Sequence, residues 1–313
     1  MARVELLENS LAGRERFDIL LKKGGITVNL CDENNIRALL GRHGFHFSKS
    51  MGQNFLIDPA VPAAIAEASG ADESCGVLEI GPGIGPLTAE LAQRAGKVVA
   101  VELDKALLPV LTETMAPFPN VEIVPGDVLK LDLAALAAEK FGGLTPMVCA
   151  NLPYNITTPV LEKLALTPCF RAVTVMVQRE VAQRLCAPQG SGQGGAFSLF
   201  LQYRMETEYL FDVPPEKFLP APKVTSAVMR CVRRDRPAVE VADEDFFFRC
   251  VRGGFLLRRK TLANSLSSAL PGISREQVQQ ALAESGLPAD VRGERLTLAE
   301  FARLSEILAR FLS

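Results

Sequence analysis

Val77-Leu-Glu-Ile-Gly81-Pro-Gly83-Ile-Gly85-Pro-Leu-Thr88 decides the fold. A short β-branched strand runs into three alternating glycines and then into a stretch with helical apolar spacing. Glycines at such a turn let the backbone pass close to a ligand at the carboxyl edge of a sheet. A dinucleotide fingerprint needs its third glycine at position 86, which is Pro86. The spacing is therefore G-x-G-x-G and not the pyrophosphate-cradling G-x-G-x-x-G. No Gly-Lys-Ser/Thr of a phosphate loop follows. The turn suits an adenosine-like ligand without a pyrophosphate.

Outward from this turn the chain alternates. Further strands are expected at Val98–Val101, Val121–Val124, Met147–Ala150 and Ala172–Val177, with helical spacing at Leu87–Arg94 and Lys105–Leu111. Strands buried on both faces, alternating with helices, predict a doubly wound and mostly parallel α/β sheet. Thr207–Val213 and Ser226–Val232 follow in quick succession and are expected as an antiparallel pair. A polar side chain recurs at each strand end: Glu102, Asp127 and Asn151, spaced by 21, 25 and 24 residues from Gly81 onward. Any one of them alone reads equally well as a solvated strand-end residue. In register with a glycine-rich turn, Glu102 is placed to accept both ribose hydroxyls and Asp127 an adenine amino group. The pattern resembles the Rossmann-like fold of class I S-adenosylmethionine-dependent methyltransferases.

Beyond Arg233 the apolar residues fall at three-to-four spacing. Two capping boxes, Ser274-x-x-Gln277 and Thr297-x-x-Glu300, mark helix starts there. The expected organisation is a helical lead-in over residues 1–44, a methyltransferase domain over 45–234 and a small all-helical domain over 235–313. Gln189 to Gly195 is glycine-rich and is expected to be a mobile loop.

Composition excludes several classes. The chain has 313 residues, with 34 Lys+Arg against 36 Asp+Glu, so bulk positive charge does not hold a nucleic acid. No apolar run reaches the roughly 18 residues of a membrane span. The N-terminus interrupts its apolar residues with acids, unlike a signal peptide. Seven scattered cysteines without a C-x-x-C pair and only two histidines give no metal-site pattern. An odd cysteine count fits reduced thiols. The expectation is a cytoplasmic protein without a metal.

Asn151-Leu152-Pro153-Tyr154 closes the fourth strand and meets an unusual chemical need. The exocyclic amine of adenine is a poor nucleophile because its lone pair is delocalised into the ring. Two acceptors on its N–H groups, the Asn151 side-chain oxygen and the Leu152 carbonyl, favour a more tetrahedral nitrogen. Pro153 stiffens the turn. Tyr154 offers a π-face for a base, worth ~1–3 kcal/mol. The plainer alternative is an ordinary strand-to-helix turn, since such residues are common there.

Five motifs then occur in order: Lys49-Ser-Met-Gly52-Gln53-Asn54-Phe55-Leu56, Leu78-Glu-Ile-Gly81-Pro-Gly83, Asn151-Leu-Pro-Tyr154, Phe218-Leu-Pro-Ala-Pro-Lys-Val-Thr-Ser-Ala227 and Arg258-Arg-Lys-Thr-Leu262. Together they resemble the ribosomal RNA adenine N6,N6-dimethyltransferases of the bacterial small-subunit type, over roughly residues 30 to 310. The resemblance implies S-adenosyl-L-methionine as cofactor, with Asn54 and Leu56 closing over its methionine end. Gly81, Gly83, Glu102, Asp127 and Asn151 complete its pocket. It implies Phe218 opposite Tyr154 around a flipped adenine; flanking prolines argue for an irregular loop at Phe218 and against a core role. It implies 16S rRNA of the immature small ribosomal subunit as partner, two adjacent adenosines of its 3′-terminal hairpin loop as targets, and no membrane. The family often carries an aromatic residue before a glycine where this chain has Gly194-Gly195, and residues 1–30 have no counterpart.

Residues 171–260 hold fifteen Lys/Arg against ten Asp/Glu, a local excess in an otherwise acidic chain. Such runs are often solvated faces. Beside an adenine pocket, Arg230, Arg233, Arg234, Arg258, Arg259 and Lys260 are candidates for RNA phosphate contacts. Two rivals stand beside this reading: a large-subunit rRNA adenine methyltransferase of the antibiotic-resistance type, and a mainly non-catalytic ribosome assembly factor. DNA adenine methyltransferases more often show Asn/Asp-Pro-Pro-Tyr.

Overall fold

The computed structural model describes residues 29–45 and 53–312. Most of the expected lead-in, and residues 49–52 of the first motif, lie outside the described residues. The first helix among the described residues is α1 (Glu33–Arg42), whose N-cap Asp32 accepts from the Asn35 amide at 2.9 Å. A two-residue strand β1 (Phe55–Leu56) and helix α2 (Ala60–Ser69) precede the first long strand.

That strand, β2 (Cys75–Ile80), is buried at every position, Glu79 included, as a central strand covered on both faces is. The alternation continues through α3 (Pro86–Ala92), β3 (Lys97–Glu102), α4 (Leu108–Met115), β4 (Val121–Pro125), α5 (Leu133–Phe141), β5 (Thr145–Asn151), α6 (Thr157–Leu166) and β6 (Ala172–Gln178). Next come α7 (Arg179–Leu185), α8 (Ala196–Arg204), β7 (Met205–Val213), a short 3-10 turn (Pro215–Lys217), β8 (Phe218–Leu219) and β9 (Ser226–Arg233). The seven-stranded sheet has the order β4-β3-β2-β5-β6-β9-β7, and a separate two-stranded ribbon joins β1 to β8. Strands β2 to β6 pair in parallel, while β9 runs antiparallel to β6.

This is a doubly wound α/β sheet. The order reverses between β2 and β5, where Glu79 pairs with Cys149. Gly81, just after β2, and Asn151, the last residue of β5, therefore lie at the same edge where these neighbouring strands end. A crevice outside the carboxyl ends at such a reversal is the ligand site of open α/β sheets.

By compactness the chain divides into two units. One comprises the described residues up to Ala182 with Glu208–Arg233; the other comprises Gln183–Thr207 with Arg234 onward. This corrects the single expected block over 45–234. The physical reason is apolar packing: Leu199 and Tyr203 of α8 share a buried cluster with Phe247, Leu266, Phe301 and Leu304. That second unit adds α9 (Glu244–Gly254), α10 (Leu262–Ala269), α11 (Arg275–Glu284) and α12 (Leu298–Ala309). Both expected capping boxes form, with reciprocal bonds between Ser274 and Gln277 and between Thr297 and Glu300. The glycine-rich stretch expected to be mobile is tied down instead. Gln189 Oε1 accepts from the Leu298 amide at 2.9 Å, the Gly192 amide donates to the Glu294 carbonyl at 3.1 Å, and Arg295 donates to the Ser191 carbonyl at 3.1 Å.

Candidate active site

The glycine turn forms because three positions need a left-handed backbone: Gly81, Gly83 and Gly85 have φ of 67°, 63° and 93°. A side chain at Gly85 would also press its Cβ to 2.5 Å from the Met115 methyl. At Gly81 such a Cβ would make only an ordinary contact with Pro153, at 3.9 Å, so the left-handed backbone rather than crowding calls for glycine there. The Gly83 amide donates to Glu102 Oε2 at 3.2 Å and the Asp104 amide to Oε1 at 2.8 Å. These bonds fix the carboxylate of Glu102 at the end of β3. Burial raises its proton affinity, and the two backbone donors oppose that rise.

One cavity gathers the predicted residues. Its wall includes Asn54, Leu56, Gly81, Gly83, Glu102, Asp127, Asn151, Leu152, Tyr154 and Phe218. Asp127 is held by an Asx turn, its Oδ1 accepting from the Leu129 amide at 3.0 Å. The Asn-Leu-Pro-Tyr turn is locked from β6 by the Leu152 amide, which donates to the Met176 carbonyl at 3.1 Å. Tyr154 shares a hydrogen bond of 2.7 Å with the buried hydroxyl of Ser226, and burial raises its phenol above the ordinary range.

Phe218 departs from expectation. It lies in β8, paired with Leu56, is 3% exposed, and belongs to a buried cluster with Leu56, Val61 and Val228. Its flanking prolines shape the chain around a strand residue that is core on one side and cavity wall on the other.

Several lining residues carried no sequence signal. Glu79 precedes Gly81 by two positions and reads as part of an apolar strand, yet it is fully buried at the cavity wall. Burial pushes its carboxyl up to about 8; the neighbouring Thr88 opposes the rise and the Glu102 carboxylate adds to it. It is thus neutral near pH 7. Leu103, 53% exposed, and Val128, buried, supply apolar wall on either side of the acids. Ser226 stands within the fourth motif, but nothing in its neighbourhood points to a tyrosine 72 residues away.

The basic candidates separate. Arg233 donates to the carbonyls of Leu164, Ala165, Thr167 and Phe170 at 2.8–3.1 Å, capping the end of α6. Arg234 donates to the Gln202 carbonyl at 3.2 Å and pairs with Glu206 at 3.0 Å. Arg230 lays its guanidinium over Gly70, at the end of α2, and its Nε is buried. The expectations for Arg233 and Arg234 are corrected, because their side chains satisfy the fold's own carbonyls and a carboxylate, whereas the buried Nε of Arg230 has no hydrogen-bond partner. Arg258, Arg259 and Lys260 are all exposed in the turn between α9 and α10. That turn is held by Ser265, which accepts from the Leu257 amide at 3.0 Å and donates to the Gly253 carbonyl at 2.6 Å.

The family model for ribosomal RNA adenine dimethylase matches residues 44–310. The chain belongs to the ribosomal RNA adenine dimethylase family. As a member of that rRNA methyltransferase family, it is similar to proteins named ribosomal RNA small subunit methyltransferase A. The Shouchella clausii relative is 48% identical, over 87% of this chain and 93% of its own length. The Anoxybacillus flavithermus relative is 46% identical, over 87% and 94% respectively. Among solved structures, the 23S rRNA methyltransferase ErmE is similar, with a TM-score of 0.64 and 29% identity over 82% of this chain and 99% of that one.

Proposed function

We propose that this chain methylates N6 of two adjacent adenosines in the 3′-terminal hairpin loop of 16S rRNA, in the immature small ribosomal subunit. S-adenosyl-L-methionine is the donor and N6,N6-dimethyladenosine the product, formed in the cytoplasm during subunit maturation. The observation that carries the reading is the convergence of Glu102, Asp127, the glycine turn, Asn151, Tyr154 and Phe218 on one cavity. Identities of 46–48% to small-subunit proteins, against 29% to a 23S enzyme, favour the small-subunit target.

The residues fit the cofactor. Glu102 presents a carboxylate pre-oriented by two backbone amides, suited to ribose hydroxyls, and the turn at Gly81 leaves room for close backbone approach. Asp127, Leu103 and Val128 suit the base, and Asn54 and Leu56 the methionine end. When bound, S-adenosyl-L-methionine supplies an electrophilic methyl carbon. The protein's own part is orientation. The Asn151 oxygen and the Leu152 carbonyl accept from the N6 amino group, and these bonds strengthen as the nitrogen becomes tetrahedral. Tyr154 and Phe218 hold the base by its faces. With the cofactor bound, N6 would take the methyl carbon as that carbon's bond to sulfur breaks, leaving S-adenosyl-L-homocysteine, and would then lose a proton, without a covalent enzyme intermediate. Arg258, Arg259 and Lys260 of the helical unit contact RNA phosphates.

Labelled cofactor offered with undermethylated small subunits, naked small- and large-subunit rRNA and DNA tests this directly. Mass spectrometry is expected to map dimethyladenosine pairs to small-subunit rRNA; label confined to large-subunit rRNA or DNA overturns the reading. Asn151→Ala is expected to lower the methylation rate by roughly 10²–10³, the cost of deleting one transition-state hydrogen-bond group. A loss below about threefold with unchanged cofactor affinity removes Asn151 from that role.

A further inference from the structure

The segment Gln53 to Asp58, of which Gln53 to Leu56 line the cavity, is pinned at both ends. At one end Gln53 Nε2 donates to Asp104 Oδ2 at 2.6 Å, and the amide of Asp104 itself holds the Glu102 carboxylate. In the middle β1 pairs with β8, bringing Phe55 opposite Leu219 and Leu56 opposite Phe218. At the other end the Ile57 amide donates to the Lys217 carbonyl at 2.9 Å, and Lys217 Nζ donates to Asp58 Oδ2 at 2.6 Å. The second Asp58 oxygen accepts from the Ala60 amide at 2.9 Å, anchoring this end to α2. Asp58 and Lys217 stand outside the cavity wall, whereas Asn54, Leu56 and Phe218 form part of it.

A two-residue ribbon is too short to hold its own register. Beyond it the Ile57–Lys217 main-chain bond continues the pairing, and the Asp58–Lys217 ion pair is the side-chain link that closes it. We infer that Asp58 and Lys217 are positioning residues that lock the Gln53–Asp58 strap to β8, so that the cofactor-side residues Asn54 and Leu56 and the base-side Phe218 are set together. This rests on the function proposed above for the same site. The consequence is a coupling: loosening the base-side latch also loosens the cofactor-side wall. The second methylation suffers most, because a base already carrying one methyl group needs the tighter placement.

Lys217→Met and Asp58→Asn are compared with Lys217→Arg and with Lys140→Met, which removes an ion pair to Glu122 elsewhere on the surface. Both latch variants are expected to lower kcat/KM for small-subunit RNA by about tenfold, as a misplacement of reacting groups does. They are also expected to accumulate monomethyladenosine and to weaken binding of S-adenosyl-L-homocysteine severalfold, although neither residue lines the cavity. Lys217→Arg is expected to restore the dimethyl product, and Lys140→Met to behave as wild type. Wild-type product ratios and cofactor affinity in Lys217→Met overturn the inference. So does a defect that disappears on cooling in step with thermal stability, or one shared by Lys140→Met. If wild-type protein leaves the RNA unmodified, the proposed function fails instead. The binding measurement then decides the latch: unchanged affinity in Lys217→Met overturns it, and weakened affinity sustains it.

Discussion

Two arginine-rich stretches of similar composition meet opposite fates. Arg233 at the end of β9 spends its donors on four main-chain carbonyls around the end of α6, where a helix leaves acceptors unpaired. Arg258, Arg259 and Lys260, in a turn held from below by Ser265, stay exposed. The difference teaches that a cation's role depends on how many acceptors its backbone position brings within reach. Glu79 adds a third outcome: a buried acid that keeps its proton.

The largest effect expected from this contrast is on stability. Arg233→Met leaves helix-end carbonyls without donors and is expected to cost about 2–3 kcal/mol in urea unfolding. The salt dependence of RNA binding should stay that of wild type; a change in salt slope without loss of stability would erase the contrast. Next comes the converse. Changing Arg258, Arg259 and Lys260 together to Ala is expected to leave stability within about 0.5 kcal/mol. It should flatten the plot of log affinity against log salt by about 2, as three lost phosphate contacts would. An unchanged slope would make this turn an ordinary solvated surface.

The smallest effect sharpens the third case. A carboxyl whose folded value is raised to about 8 binds its proton more tightly folded than unfolded. Its contribution is therefore fully present below the unfolded carboxylate range and is lost as pH rises from there towards 8. Glu79→Gln is expected to flatten the decline of Tm between about pH 5 and 8. A decline as steep as in wild type would mean that Glu79 is ionised in the folded protein.

Much of the site was legible because its parts sit at strand ends. Gly81, Glu102, Asp127 and Asn151 follow β-branched runs at one strand–helix interval, and a parallel sheet puts every such end on one edge. Asn-Leu-Pro-Tyr added a chemical signature beside them. The prolines around Phe218 suggest a loop and not a core position, because nothing local shows that Leu56, far away in the chain, pairs with it. Ser226 and Glu79 carry no local signal, since the partner of the first and the burial of the second arise only on folding.

The sequence by itself determined the alternation of strand and helix, the glycine turn and the chemistry of the strand-end residues. These follow from backbone preference and period, which act over a few residues. The tertiary structure alone decided which arginines are consumed as caps and that residues 183–207 join the helical unit. It also decided that β1 and β8 lie side by side. Those outcomes depend on which distant acceptors, apolar faces and strand edges meet, and one-dimensional spacing does not encode that.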